Sequence, residues 1–182
     1  MKLKKQLVIL GVAMVLALSG CGNNSNNKND TSNMNHSEMN HSGSSEVPQG
    51  LKAASNPKFK VGSQANITDD HMPGMKGATA TIVGAYDTNV YAVSYTPTTG
   101  GEPVKNHKWV IQQDLKDAGD KLYESGAKVV LEAEHMKGMK GATATIDSAE
   151  RTTIYMVDYT PTTGGEPVKN HKWVTGSELT AK

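Results

Sequence analysis

Two short segments of this chain combine side chains that bind soft and borderline metal ions. Each holds one histidine and two methionines within five residues: His71, Met72 and Met75 in the first, and His135, Met136 and Met139 in the second. Imidazole and thioether donors suit Cu(I), whereas zinc prefers cysteine thiolates or a larger set of histidines and carboxylates. Both segments therefore predict a copper site.

The residues between the two methionines predict how these donors are brought together. Segment 72–75 has proline in its second position and glycine in its third, the preference of a type II turn. Such a turn holds its first and last Cα atoms within about 7 Å, so that both thioethers can reach a point beside His71. In the second copy Lys137 replaces Pro73, while Gly138 keeps the position that needs a positive φ. We expect a preformed cluster in each copy, with affinities that need not be equal.

The two segments belong to a longer duplication. Residues 71–110 return at 135–174, 64 positions later, with 31 of 40 residues identical. Each copy ends in Asn-His-Lys-Trp-Val, which supplies further candidate ligands: His107 and Trp109 in the first copy, and His171 and Trp173 in the second. Strand alternation predicts that the histidine and tryptophan of each pair share a face. There the indole could add a cation–π contact of about 0.5–2 kcal/mol.

These residues also have a structural interpretation. Methionine often fills gaps in a small core, and tryptophan is more often buried than it is a metal contact. The strand histidines could equally be hydrogen-bonded within their own turns. The duplication itself favours the metal-binding interpretation, because both copies keep the whole donor set.

The N-terminal residues have the pattern of an exported lipoprotein. In segment 1–20, three lysines precede an apolar run at 7–18 that is short for a membrane span. The run leads into Leu-Ser-Gly-Cys, the lipobox pattern, which predicts cleavage before Cys21 and lipidation of its thiol. Two acyl chains are enough for stable anchoring. We therefore expect a location on the extracytoplasmic face of the cell membrane, with Cys21 as the membrane contact.

Composition excludes several classes of function. Cys21 is the only cysteine, so lipidation leaves no thiol for a disulfide, a zinc site or a nucleophile. Without residues 1–20 the chain carries 16 lysines and arginines against 18 acidic residues. No basic cluster suggests nucleic-acid binding. We also find no nucleophile with a recognisable base, no phosphate-binding glycine loop and no distinctive carboxylate pair, and predict that the protein is not an enzyme.

Residues 21–55 are expected to form a flexible stalk, because they are rich in Asn, Ser and Gly and poor in apolar residues. Two Met-Asn-His triplets lie within it and are candidate copper scavengers: Met34, His36, Met39 and His41. The alternative is a polar linker in which these residues are incidental.

From about residue 56 the pattern predicts an all-β fold, with two tandem small SH3-like β-barrels at 56–118 and 119–182 after the disordered stalk. Short alternating segments are separated by Gly- and Pro-rich turns, and no long segment has helical periodicity. Comparison of the copies suggests the core face: Tyr91, Val93 and Tyr95 recur as Tyr155, Val157 and Tyr159. Their variable neighbours are expected to face outward: Val90, Ala92 and Ser94, with Ile154, Met156 and Asp158. A short helical turn is predicted to close each unit, at 113–115 and 177–179.

From the lipobox onward the chain resembles the YdhK-type lipoproteins of Gram-positive bacteria, whose domain of unknown function occurs as such a tandem pair. The resemblance rests on three motifs and their second copies: His-Met-Pro-Gly-Met-Lys-Gly-Ala from His71, Tyr-Ala-Val-Ser-Tyr-Thr-Pro-Thr from Tyr91, and Asn-His-Lys-Trp-Val from Asn106. Some members of this family are surface copper-binding lipoproteins linked to copper tolerance. The resemblance thus implies sequestration or handover of Cu(I), with a copper-exporting ATPase or another copper protein as partner.

A second function stays open at this point. Small barrels on bacterial surfaces also bind cell-wall peptides or proteins. Such a module would use exposed tyrosines and the Thr-Thr-Gly-Gly loops as its contact surface, and would keep the methionines as core.

Overall fold

A computed structural model describes residues 42–182 and confirms the predicted all-β fold. The predicted signal, Cys21 and the four stalk candidates (Met34, His36, Met39 and His41) lie outside the described residues. The strands are β1 Lys52–Ala53, β2 Gln64–Ile67, β3 Thr79–Tyr95, β4 Val104–Ile111, β5 Lys128–Val130, β6 Thr143–Tyr159, β7 Val168–Thr175 and β8 Leu179–Ala181. Single 3₁₀ turns at Gln112–Asp114 and Gly176–Glu178 follow β4 and β7, close to the predicted helical turns. Nowhere in residues 42–182 does a helix reach the length and apolarity of a membrane span.

The two long strands β3 and β6 form the centre of the sheet. Each has 17 residues, and they pair antiparallel from Ala80 opposite Tyr159 to Tyr95 opposite Ala144. The first half of each long strand therefore lies beside the second half of the other. All eight strands join one open sheet instead of closing as two separate barrels.

This pairing exchanges the halves of the two repeats. One core combines the early residues of the first repeat, such as Ile67 and Met75, with late residues of the second, such as Tyr155 and Val157. The other core makes the reciprocal combination, with Tyr91, Val93 and Tyr95 packed against Leu131, Met139 and Ile146. The repeat boundary at 118/119 is thus a boundary in sequence, while each core draws residues from both sides of it.

The predicted core face is confirmed, but the prediction for the opposite face is wrong. Tyr91, Val93 and Tyr95 are buried, as are their second-copy equivalents. Four of the residues expected to face outward are buried too and form a third core with both tryptophans and Ile111: Val90, Ala92, Ile154 and Met156. The reason is that β3 and β6 pair in the middle of the sheet, where apolar side chains cover both faces.

The described end of the predicted stalk is part of the folded body. The N–H of Gly43 donates to the carbonyl of Lys169 (2.8 Å), and β1 pairs with β3. Val47 and Leu51 pack against the third core. Residues 42–55 therefore follow the sheet surface instead of forming a free linker, because the third core needs apolar cover.

Candidate metal-binding cleft

The predicted Met-x-Gly-Met turn forms in both repeats. The N–H of Met75 donates to the carbonyl of Met72 (3.1 Å), and Gly74 has φ of +76°. Met139 and Met136 make the same 3.1 Å bond, with Gly138 at +78°. The local geometry expected of this turn is present with either proline or lysine in its second position.

Each turn is held by a loop from the other repeat. The carbonyl of Gly74 accepts a hydrogen bond from the N–H of Thr162 (2.8 Å), and Gly138 is held in the same way by Thr98 (2.9 Å). A Cβ at Gly74 would lie 2.5 Å from Oγ1 of Thr163, so a larger residue would push this loop away. The Thr-Thr-Gly-Gly loop of each repeat thus fixes the Met-x-Gly-Met turn of the other repeat.

The two methionines of each turn have different destinations. Met75 and Met139 are fully buried and belong to the two exchanged cores. Met72 and Met136 are partly buried and line a cleft of about 1100 Å³. The Sδ atom of Met136 lies 3.8 Å from the hydroxyl of Tyr95. The predicted cluster of one histidine and two methionines is therefore divided, with one thioether at the cleft and one in the core.

The cleft contains histidines of both repeats. Its lining includes all four histidines of the described chain: His71, His107, His135 and His171. The rings of His107 and His135 come from different repeats, and their centroids are 6.1 Å apart. Nδ1 of His71, Nε2 of His107 and Nδ1 of His135 are buried and have no hydrogen-bond partner within residues 42–182. Together with the two cleft-lining thioethers, these nitrogens form a set of imidazole and thioether donors in one cleft.

Two of these histidines are held neutral. Burial lowers the pKa of His107 to about 4, and nearby His135 and His71 act in the same direction. Burial, with the positive charge of Lys172, lowers the pKa of His135 to about 4. A neutral imidazole has one nitrogen with a free lone pair, which is the form that binds metals.

His107 and Trp109 do not share a face, contrary to the alternation expected from sequence. His107 pairs with Val93 and Val110 pairs with Tyr91, so β4 has an extra residue between these two positions. This bulge reverses the alternation. His107 therefore lies at the cleft beside Tyr95, whereas Trp109 enters the third core. A bulge at the same place in β7 separates His171 from Trp173.

A group of charged residues surrounds His71. Its Nε2 lies 2.7 Å from Oε1 of Glu178 and 3.4 Å from Oδ2 of Asp69. Trp109 donates its indole N–H to Glu178 (2.8 Å to Oε2). Lys108 lies 2.8 Å from Asp69 and 3.7 Å from Glu178. The Lys108 hydrogen bond holds the pKa of Asp69 well below its usual range.

One possible ligand atom from each of Asp69, His71 and Glu178 lies within 4.8 Å of the other two. The Lys108 ammonium, however, already lies against both carboxylates and offsets part of their negative charge. The arrangement accordingly resembles a structural ion-pair network around His71 more than a hard-cation site.

The equivalent group around His135 is weaker. Its Nε2 lies 3.7 Å from Oδ2 of Asp114, and Ala133 stands where the first repeat has Asp69. Burial raises the pKa of Asp114 to about 6, against the opposing effects of the Ile111 N–H, Trp173 and Lys172. Each half of the cleft thus has a histidine beside a carboxylate, but the two halves differ in their charged neighbours.

Sequence reasoning missed the carboxylates that contact the candidate histidines. Asp114 and Glu178 were placed only in the helical turns that close each repeat. One signal was available, since both copies keep an acidic residue at this equivalent position while the residues before it differ. Asp69 gave no comparable signal, because Ala133 stands at its place in the second copy, and Lys108 is kept as lysine there.

The comparisons with known proteins agree with the duplication. The model of a family described as "Protein of unknown function (DUF1541)" matches residues 61–112 and again 125–176. The uncharacterized protein YdhK of Bacillus subtilis (strain 168) is 61% identical over 188 residues, which cover 100% of this chain and 92% of YdhK.

Solved structures of the same relative resemble the fold. The crystal structure of ydhK from Bacillus subtilis at 2.00 Å has a TM-score of 0.77 and 68% identity, covering 80% of this chain and 99% of that one. The solution NMR structure of the ydhK C-terminal domain has a TM-score of 0.66 and 69% identity, covering 68% of this chain and 94% of that one. The chain therefore belongs to the DUF1541 family and carries its domain as a tandem pair.

Proposed function

We propose that this protein is a membrane-anchored extracytoplasmic lipoprotein that binds Cu(I) in the cleft between its two repeats. It would sequester the ion or hand it to another copper protein, such as a copper-exporting ATPase, and so contribute to copper tolerance. The lipid anchor is Cys21, as the lipobox pattern predicts. Copper is cargo in this proposal, and no catalytic step is assigned.

One observation carries the proposal: three imidazole nitrogens without a partner in the described part of the chain line the same cleft as two thioethers. A buried polar atom without a hydrogen bond is destabilising, so such atoms are rare unless they have a functional partner. The nitrogens belong to His71, His107 and His135, and the thioethers belong to Met72 and Met136. Nitrogen and thioether donors without thiolate suit copper better than zinc or magnesium.

The proposed ligand set is narrower than the one expected from sequence. Met75 and Met139 are left out, because their side chains fill the two exchanged cores. Trp109 and Trp173 are left out as well, since they belong to the third core. His171 lines the cleft and stays a candidate.

The alternative of a metal-free surface module has less support. Four of the six tyrosines it would use for contacts are buried: Tyr91, Tyr95, Tyr155 and Tyr159. The Thr-Thr-Gly-Gly loops are engaged with the turns of the opposite repeat through Thr98 and Thr162. The buried tyrosines offer no contact surface, and the loops, although exposed, already use these two threonines to hold the turns.

The turns contain a matched pair of variants that tests the proposal. Met72→Leu with Met136→Leu removes the two cleft thioethers, and Met75→Leu with Met139→Leu removes the two core thioethers. Leucine keeps size and apolarity, so each exchange should cost less than about 1.5 kcal/mol per site in stability. Cu(I) affinity and stoichiometry of the full chain would be measured anaerobically against a chromogenic Cu(I) chelator, with Zn(II) and Cu(II) titrated in parallel.

We expect the cleft pair to weaken Cu(I) binding at least tenfold, because both sulfur donors are lost. The core pair should bind Cu(I) like the unaltered chain, and Zn(II) binding should hardly change in either variant. Unchanged Cu(I) affinity in the cleft pair, or a loss only in the core pair, would contradict the proposed site. Absence of Cu(I) binding by the unaltered chain would contradict the proposed function and favour the surface module.

A further inference from the structure

Two carboxylates contact the cleft histidines, and each comes from the opposite repeat. Glu178 of the second repeat lies 2.7 Å from Nε2 of His71, and Asp114 of the first repeat lies 3.7 Å from Nε2 of His135. Both acidic residues end a 3₁₀ turn at equivalent positions. The same structural element therefore places one carboxylate behind each ring.

The hydrogen bonds of Glu178 determine which nitrogen of His71 carries the proton. Oε2 accepts the N–H of Thr175 (2.8 Å) and the indole N–H of Trp109 (2.8 Å). An ionised carboxylate can only accept, so the 2.7 Å contact of Oε1 requires a proton on Nε2 of His71. In a neutral ring Nδ1 then keeps its lone pair. That atom has no hydrogen-bond partner among the described residues, and it is buried in a side chain that is 6% exposed.

We propose that Glu178 is a positioning residue that selects the Nε2–H form of His71 and so presents Nδ1 of that ring as the metal-binding atom. Asp114 has the equivalent place behind His135, but 3.7 Å is too long for a hydrogen bond to its Nε2. A carboxylate that holds the second nitrogen of a metal-binding histidine fixes the orientation of the ring and increases the basicity of the ligand. The assignment to metal binding rests on the proposed copper function, whereas the tautomer can be tested without metal.

Two consequences distinguish this arrangement. Because each carboxylate comes from the other repeat, neither repeat alone contains a complete site. The His71 half is also the better organised, since its carboxylate is 1.0 Å closer (2.7 against 3.7 Å) and Asp69 adds a second contact that Ala133 cannot make. We expect Cu(I) affinity to depend more on Glu178 than on Asp114.

The test is Glu178→Gln in the full chain. A glutamine oxygen can serve Thr175 and Trp109 only if its NH₂ group turns toward His71, where it would donate to Nε2. The proton should then move to Nδ1. Two-bond ¹H–¹⁵N correlation spectra of the apo protein report the tautomer directly, with His71→Gln used to assign the signal. Competition with a Cu(I) chelator reports the affinity.

We expect the unaltered chain to show Nε2–H at His71 and the variant to show Nδ1–H, with Cu(I) affinity ten- to a hundredfold lower. Glu178→Asp should keep the native tautomer and part of the affinity. Trp109→Phe removes a donor to Glu178 without changing the carboxylate and should also keep the tautomer. Thermal unfolding of each variant would show whether it folds.

Several results would overturn the proposal. Nδ1–H at His71 in the unaltered apo chain would do so without any variant, even if Glu178→Gln failed to fold. So would a tautomer change in the variant that leaves Cu(I) affinity unchanged, while the copper function itself would survive. If the unaltered chain binds no Cu(I), both the proposed function and the metal role of Glu178 are wrong. The tautomer of the apo protein would still show whether the hydrogen bond between Glu178 and His71 was assigned correctly.

Discussion

His107 and His135 place two imidazole rings where a positive charge is unfavourable. Burial is the main cause for both, and it lowers each pKa to about 4 from an ordinary value of about 6.5. The folded protein therefore binds fewer protons than the unfolded chain between these two values. By linkage, the stability that each histidine contributes is complete above pH 6.5 and is lost as the pH falls toward 4, by about 3 kcal/mol each.

Asp114 acts in the opposite direction. Burial raises its pKa to about 6, so the folded state takes up this proton before the unfolded chain does. Its contribution is present below its unfolded value near 3.9 and is lost as the pH rises through 6. Asp114 thus offsets about one histidine, and we expect the unfolding free energy of the apo protein to fall by about 3 kcal/mol between pH 7 and pH 4.

Replacement of Asp114 by Asn should make this acid loss steeper, at about twice the unaltered value, because the offset disappears. Replacement of His107 by Gln should make it shallower. Urea unfolding of the metal-free chain at a series of pH values measures both slopes. Equal slopes in all three proteins would show that these groups titrate alike in the folded and unfolded states.

The segment before β2 stabilises the third core. Val47 and Leu51 are partly buried against it, in contact with the face that carries Trp109 and Trp173. β1 adds backbone pairing to β3 through Lys52 and Ala53. The face of the sheet that forms the third core is apolar because both long strands contribute buried residues to it. Val47 and Leu51 cover this face and exclude water from it.

Val47→Ala combined with Leu51→Ala should therefore lower the unfolding free energy by about 2 kcal/mol, from lost apolar burial. Val61 offers a control of the same kind, since it is 62% exposed. Val61→Ala should change stability by less than about 0.5 kcal/mol. Thermal or urea unfolding compares them, and similar small effects for both variants would mean that residues 42–55 contribute little to the core.

The exchange of halves gives the molecule the organisation of an intertwined dimer within one chain. The pairing of β3 with β6 brings residues of both repeats into each core, and each Thr-Thr loop fixes the turn of the other repeat. Duplication allows this because the exchanged residues are the same in both copies, as with Tyr91 and Tyr155 or Tyr95 and Tyr159. A single repeat contains the residues for both halves of a core. In this fold, however, its early residues enter one core and its late residues enter the other.

A chain ending at residue 118 should therefore fold only as a homodimer, in which the second copy supplies the missing half. Size-exclusion chromatography with light scattering should give twice the mass of one repeat, and dilution should cause unfolding together with dissociation. A stable folded monomer of this length would show that one repeat can close its own core.

Local sequence patterns were sufficient for the features that neighbouring residues control. The period of two in 91–95 and its copy predicted strands and one buried face, and Gly74 predicted a turn with positive φ, since both depend on the backbone preferences of a few adjacent residues. The repeat of 64 residues is visible when the sequence is compared with itself, and it predicted the tandem pair that the family model matches.

The destinations of the side chains depended on the tertiary structure. Met72 and Met75 look equivalent in sequence, yet one reaches the cleft and the other a core that includes Tyr155 from the second repeat. Strand alternation could not place His107 and Trp109, because an extra residue in β4 reverses the face between them. Glu178 meets His71 across 107 positions of the chain, through the antiparallel pairing of β3 with β6. Contacts at such a separation depend on which strands pair, and two nearly identical repeats permit pairing either within a repeat or between repeats.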